Sequence, residues 1–287
     1  MTPRPPRCAA VHDLSGFGRC SLSVILPAMS TMGIQVCPVP TAILSAHTGG
    51  FGEVARRDLT DYMAEAIHHY STLELAMECI YTGYLNSPEQ VELCRALFRQ
   101  NPAAMKVVDP VMGDHGKLYH GFTPELVSGI GALASQADVI TPNRTEAALL
   151  LGEKPVDAPL GLAEARSLLA RLSAKGPDVV VVTGAVLSTG EYANLCFDKA
   201  RGSYWKSASD YLPVRYPGTG DLFAAVLTAG LMRGDNPAMA MDRATRYVEL
   251  TVKTTFGYGA DPREGVMLER TLEWLTRNEL PKGYEVL

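Results

Sequence analysis

Apolar positions along the chain switch repeatedly between two periods. CAAVHDL (8–14), MECIYTGYL (77–85), MKVVDP (105–110), ADVIT (137–141) and DVVVVT (178–183) are short apolar runs that predict strands. DVVVVT offers no polar face, as expected of a parallel sheet covered by helices on both sides. Between these runs, residues 20–33, 53–70, 87–100, 123–136, 144–152 and 162–176 carry apolar residues at helical spacing. In the third of these, Ser87 is placed to cap the helix with Pro88 in its first turn. QVCPVPTAIL (35–44) reads as extended, and Pro38 and Pro40 argue for an edge or irregular strand. YANLCFD (192–198) and GSYWKSAS (202–209), joined by a basic turn with a glycine, predict a hairpin. Helical stretches over 220–234, 236–255 and 265–278 close the chain. No linker, repeat or low-complexity tract interrupts it, so one doubly wound α/β domain over 1–287 is the economical expectation.

Composition narrows the function classes. The 287 residues are 47% hydrophobic, enough for a sizeable core, and the net charge of −5 gives no general attraction to nucleic acid or anionic membrane. Arg56 and Arg57 read as part of a solvated helix face. Six scattered cysteines show neither CxxC nor Cys–His ligand spacing, which argues against disulfides and zinc. No apolar run reaches the ~18 residues of a membrane span, and no signal-like core follows the N-terminus, so a cytoplasmic protein is expected.

In a doubly wound sheet, ligands bind at the carboxyl ends of the strands. Asp13, Ser15, Thr48, Tyr84, Asp109, Asn143, Thr183 and Asp221 all fall where a strand run gives way to a loop or helix. Gly218-Thr219-Gly220-Asp221 precedes eleven apolar or small residues. Free amides at a helix start and its positive dipole end favour an anion there, and an aspartate among them can accept a proton. The same four residues also read as a glycine turn with Asp221 as helix cap. Asn143 and Glu146 have the spacing of a capping box, while two such oxygen-bearing side chains at a strand mouth also suit Mg²⁺. Asp109 supplies a second carboxylate or merely an Asp-Pro turn, and the glycine-rich stretch after it looks like a mobile flap. Asp13 and Ser15 either bind a small polar ligand or cap the next helix. His47, beside Thr48 and a Gly-Gly pair, is either a ligand contact or a satisfied structural histidine. Neither a Walker A sequence nor GxGxxG occurs.

Taken in order, DLSGFG, SAHTGG, YTGYL, VVDPVMGDHGKLY, ADVITPNRTEAALLLG, VVVTG and GTGDLFAA resemble the pyridoxal kinases, in the vitamin-kinase branch of the ribokinase-like superfamily. The resemblance spans roughly residues 8–255 and rests on the combination DPVMGD, TPNxxE and GTGDxFAA. It implies a ribokinase-like α/β sandwich with a mostly parallel central sheet, helices on both faces and a small flap, usually paired as a homodimer. The implied activity is phosphorylation of a ring hydroxymethyl group of a B6 vitamer by ATP with Mg²⁺. Carried onto this chain, the resemblance makes Asp221 the catalytic base and Gly218, Thr219 and Gly220 an anion hole. Asp109 and Glu146 organise Mg²⁺; Asn143, Glu146, Thr183 and Gly220 lie along ATP; Thr141 helps hold a monovalent cation such as K⁺. Asp13, Ser15, Thr48 and Tyr84 face the pyridine with His47 nearby, and Tyr119 lies on the flap. Two departures concern the substrate. Ala46 stands where pyridoxal kinases carry asparagine, and HDLSGFG is nearer the first loop of hydroxymethylpyrimidine kinases. A pyrimidine kinase of thiamine biosynthesis is therefore the alternative enzyme, and a catalytically silent vitamin-binding relative the alternative from another class.

Overall fold

A computed structural model describes residues 4–156, 158–210, 212–277 and 282–287. The strands are β1 Arg7–Phe17, β2 Gln35–Ala46, β3 Arg56–Asp58, β4 Cys79–Thr82, β5 Met105–Val108, β6 Gly113–Asp114, β7 Lys117–Leu118, β8 Val139–Ile140, β9 Val179–Val186, β10 Tyr192–Asp198, β11 Ser203–Ser209 and β12 Tyr284–Val286. The α-helices are α1 Leu22–Thr31, α2 Thr60–Thr72, α3 Pro88–Gln100, α4 Pro124–Ala134, α5 Arg144–Leu151, α6 Leu162–Ser173, α7 Thr219–Met232 and α8 Pro237–Gly257.

Ten strands form one sheet in the order β12-β11-β10-β9-β8-β5-β4-β1-β2-β3, and β6 pairs with β7 as a separate two-stranded flap. From β9 through β8, β5, β4 and β1 to β2 every pairing is parallel, whereas β10, β11, β12 and β3 add antiparallel edges. This is the mostly parallel α/β sandwich with a small flap that the resemblance implies.

Side-chain alternation along the strands divides the core into two layers. Ala9, Val11, Ile80, Val108, Val180 and Val182 pack with α2 to α6. Cys8, Ala10, Cys79, Tyr81, Val107 and Val181 pack with α1, α7 and α8. Leu222 to Gly230 of α7 are buried without a break, which is why that helix needs no polar face. Ser87 accepts the Gln90 amide at 3.2 Å and Pro88 opens α3, as the sequence predicts.

Several boundaries differ from the sequence expectation. Arg56 and Arg57 lie on the short edge strand β3, which pairs only with Ala42–Leu44 of β2, and α2 starts at Thr60. β2 is consequently covered by β3 over part of its length only. Pro38 and Pro40 lie in the half without that neighbour, where a missing N–H costs no ladder bond. The helix expected over 265–278 is two short 3₁₀ turns, at Leu268–Arg270 and Leu272–Thr276, preceded by a third at Pro262–Glu264; its last residue, 278, is outside the described ones. Irregular winding lets Val266, Leu268 and Leu275 all reach the core beside α1 and α8.

Candidate active site

The loops at the carboxyl ends of β1, β4, β5 and β8 converge on the N-terminus of α7. Gly218, at φ 78°, is the N-cap of α7, so Asp221 stands in the first turn rather than capping it. A Cβ on Gly218 would lie 2.1 Å from the Arg19 carbonyl oxygen, so the turn is wedged against the loop after β1. Nothing lies within 4 Å of where a Gly220 side chain would begin, which leaves that face of the turn open. The Thr219 hydroxyl donates to the Tyr216 carbonyl at 3.0 Å and pins the turn internally.

Asp221 is held from the opposite side. The Ser21 amide donates to its Oδ2 at 2.9 Å, the Cys20 thiol lies 3.4 Å from the same oxygen, and the Tyr81 hydroxyl donates to its carbonyl at 3.4 Å. Burial pushes its pKa up to about 6; the Ser21 amide draws it back, and the negative charge of Asp13 raises it further. Ser21 reaches that amide position with φ 51° and ψ −130°, a conformation that side-chain-bearing residues seldom adopt. Sequence pattern carried no sign of the Cys20 and Ser21 contacts, because they depend on an approach between segments 200 residues apart.

Asp109 follows β5 and is buried. Burial first, then the charge of Asp221, pushes it up to about 8, while the neighbouring Thr141 hydroxyl pulls it down. Glu146 is also buried and held well above the usual carboxylate range, by burial and by the charge of Asp109. One Glu146 oxygen accepts the Met112 amide at 3.1 Å and the other accepts the Asn143 amide at 2.9 Å. Asn143 Oδ1 in turn accepts the Glu146 amide at 3.0 Å, completing a capping box, and its Nδ2 donates to the Gly113 carbonyl at 2.8 Å. Thr183 bridges to this helix start, its amide donating to the Pro142 carbonyl at 3.0 Å.

The flap is fastened to the same helix. Thr145 accepts the Gly116 amide at 2.8 Å, a tie the sequence did not single out. Tyr119 on the flap is half exposed, and the negative charges of Glu146, Asp114, Asp221 and Asp109 all raise its phenol beyond the effect of burial. Phe122 links it to Tyr84 through edge-on contacts of 6.3 and 6.1 Å between ring centroids. The structure thus brings Asp13, Tyr84, Asp109, Tyr119, Thr141, Asn143, Glu146, Thr183 and the 218–221 turn to one end of the sheet.

On the β1 side, the Ser15 hydroxyl donates to Asp13 at 3.3 Å and both residues are buried. Burial raises Asp13, and its hydrogen bonds with Ser21 and Ser15 moderate that shift. Both His47 nitrogens have partners within the protein: Nδ1 accepts the Gly49 amide at 3.0 Å, and Nε2 lies 2.6 Å from the Arg263 carbonyl oxygen. The ring is a clasp between the 47–53 loop and the C-terminal 3₁₀ segment, while Thr48 is exposed on that loop.

Comparison with known proteins agrees with this architecture. The family pattern of phosphomethylpyrimidine kinases matches residues 26–264. The chain belongs to that family. Among its relatives is the pyridoxal kinase PdxY of Vibrio campbellii, 30% identical over 243 residues that make up 80% of this chain and 81% of the relative. A Bacteroides thetaiotaomicron protein provisionally assigned as a phosphomethylpyrimidine kinase, in a crystal form with pyridoxal, is 42% identical with a TM-score of 0.93 over 99% of this chain and 100% of that one. The pyridoxal kinase of Lactobacillus plantarum is 32% identical with a TM-score of 0.87 over 94% and 96% of the two chains.

Proposed function

We propose that this protein is an ATP-dependent kinase of B6 vitamers, phosphorylating the 5′-hydroxymethyl group of pyridoxal, pyridoxine or pyridoxamine. The observation that carries the reading is the first turn of α7, where the Asp221 carboxylate, near neutrality in its titration, stands beside the open Gly220 backbone. In the forward step Asp221 accepts the proton of the substrate hydroxyl as its oxygen bonds to the γ-phosphorus. The bond between that phosphorus and the β,γ-bridging oxygen breaks, and ADP leaves with the bond pair. Amides at the start of α7 face the charge that develops on the phosphoryl oxygens. Asn143 and Thr183 border the path of the triphosphate.

Asp109 and Glu146 are two buried acids whose neighbours include each other and Asp221, a donor set that fits a divalent cation. Among the described residues no three His, Cys, Asp or Glu side chains form a closed cage. Mg²⁺ would therefore keep water and phosphate oxygens among its ligands, as it commonly does. When bound, it neutralises the phosphate charge. Thr141 Oγ1, buried beside Asp109, fits a monovalent cation as one oxygen ligand. The family resemblance adds a homodimer and a cytoplasmic setting; no helix among the described residues is long and apolar enough to cross a membrane.

The second reading is a hydroxymethylpyrimidine kinase, favoured by the first loop and by the name of the matching family. Measuring kcat/KM with ATP for the three vitamers, hydroxymethylpyrimidine and ribose tests both. A vitamer in first place is expected; the pyrimidine in first place replaces the proposal, and ribose in first place or no turnover refutes both.

A further inference from the structure

Strand register places an unassigned cation at the edge of the substrate pocket. Ser15 of β1 pairs with Leu44 of β2, and Leu44 pairs with Arg56 of β3, so the three form one row on one face of the sheet. Two strand spacings, about 10 Å, separate Ser15 from Arg56 along that row. Asp58 lies two residues on, opposite Ala42, and so shares that face. Tyr84 borders it from the end of β4, its carbonyl fixed by the Thr41 hydroxyl at 3.0 Å. The Arg56 guanidinium is close enough to Asp13, Asp58 and Tyr84 to draw each towards its ionised form. Arg56 is exposed, and its guanidinium lies within hydrogen-bonding reach of the Tyr84 phenol.

We propose that Arg56 is a specificity-determining residue that binds the ring 3-oxygen of the vitamer while Asp13 faces the ring nitrogen. The inference rests on the kinase reading above and adds which form of the substrate is selected. A 3-hydroxypyridine has an acidic phenol and a basic nitrogen, and near neutral pH it exists largely as a dipolar ion. Asp13 and Arg56 present the opposite pair of charges across the pocket. A charge-assisted bond from the guanidinium suits the phenolate oxygen. Overlaid at the reacting hydroxymethyl group, hydroxymethylpyrimidine places an unsubstituted ring nitrogen where the vitamer carries its 3-oxygen, so it presents no anionic oxygen to the guanidinium. Arg56 thereby favours the pyridine through a charged contact that the pyrimidine cannot make.

The test removes the interaction from each side. Wild type, Arg56→Gln and Arg56→Lys are assayed on pyridoxine, 3-deoxypyridoxine and hydroxymethylpyrimidine. Arg56→Gln is expected to lower kcat/KM for pyridoxine by roughly 10- to 100-fold, the range for a hydrogen bond to a charged group. The same variant should leave both 3-deoxypyridoxine and the pyrimidine within about twofold, because neither carries a ring oxygen for the guanidinium to bind. Arg56→Lys should recover part of the pyridoxine loss. Equal losses on pyridoxine and 3-deoxypyridoxine, or no loss on either, overturn the assignment of Arg56 while leaving the kinase reading intact. Wild type that prefers the pyrimidine overturns the kinase reading itself, and this inference with it.

Discussion

Replacing Gly218 with alanine strikes the point where the α7 turn meets the loop that holds Asp221. Two costs add. At φ 78° an L-residue occupies the left-handed region, at about 1–2 kcal/mol. The new Cβ would also lie 2.1 Å from the Arg19 oxygen and 2.9 Å from the Cys20 Cα, both main-chain atoms that cannot rotate away. Forced backbone shifts of that kind cost about 1–3 kcal/mol. The sum is about 2–5 kcal/mol, or a fall in Tm of about 4–8 °C for a chain of this length. Any shift of residues 19–21 also pulls the Ser21 amide off the Asp221 carboxylate, so turnover should fall together with stability. Gly220→Ala is the control. It sits inside α7 with nothing within 4 Å of the new methyl, and alanine improves helix propensity by up to about 1 kcal/mol. Its Tm should hold or rise while activity drops, because the methyl enters the space proposed for the phosphoryl group. Thermal unfolding and coupled ADP release on both variants decide the matter. A Gly218→Ala protein with wild-type Tm, or a Gly220→Ala protein equally destabilised, refutes the steric account.

Asp221→Asn should lower kcat by about 10²–10⁴-fold with little change in KM for ATP. In the unmutated enzyme kcat/KM should climb as pH rises through about 6, where that carboxyl ionises; a flat profile from pH 5 to 7 counts against Asp221 as base. Asp109 titrates near 8 in the folded state, against about 4 in the unfolded chain, so the native state keeps a proton that unfolding releases. Stability should therefore fall as pH rises from about 4 to 8, and Mg²⁺, by favouring the ionised form, should raise Tm more at pH 8 than at pH 5; a Mg²⁺ shift independent of pH removes Asp109 from the metal site. Thr145→Val deletes the hydroxyl that accepts the Gly116 amide, a bond worth about 0.5–1.5 kcal/mol, and should raise KM for the vitamer by up to about tenfold with faster proteolytic nicking of the flap. Unchanged KM and unchanged nicking would show that the flap is held by other contacts.

The elements most legible in the sequence were those whose signals are local. DVVVVT became β9 because it has no polar face to expose; Ser87-Pro88 and Asn143 with Glu146 started helices because caps are set by residues within one turn. Legibility failed where distant segments decide. Arg56–Asp58 continues a helical pattern on paper, yet three residues pair with Ala42–Leu44 because that edge of the sheet is open to them. The 265–278 stretch has helical spacing but follows the outline of α1 and α8, and only irregular turns let its apolar side chains reach the core. The site was legible as a set of strand ends, since topology assigns them one edge. Its supporting contacts, the Ser21 amide on Asp221 and Thr145 on the flap, depend on backbone geometry that no residue pattern encodes.

Capping and metal binding at Glu146 look like rival explanations in the sequence, but the proposed metal site is compatible with the cap. Both bonds of the capping box are formed, so the cap is real. A cap is worth about 1 kcal/mol and works well at a solvated helix end, where its carboxylate stays ionised at no desolvation cost. Glu146 is instead buried, and it neighbours Asp109, whose charge raises its pKa further. Burying one acid against another costs more than a cap returns unless something compensates the charge. The same carboxylate also takes the Met112 amide at the root of the flap. A cation between Asp109 and Glu146 would restore ionisation, strengthen both amide bonds to Glu146, and so tighten the joint between α5 and the flap. On that reasoning the proposed metal site and the cover over the vitamer pocket are a single electrostatic unit, and the cap is the part of it that can be read without the fold.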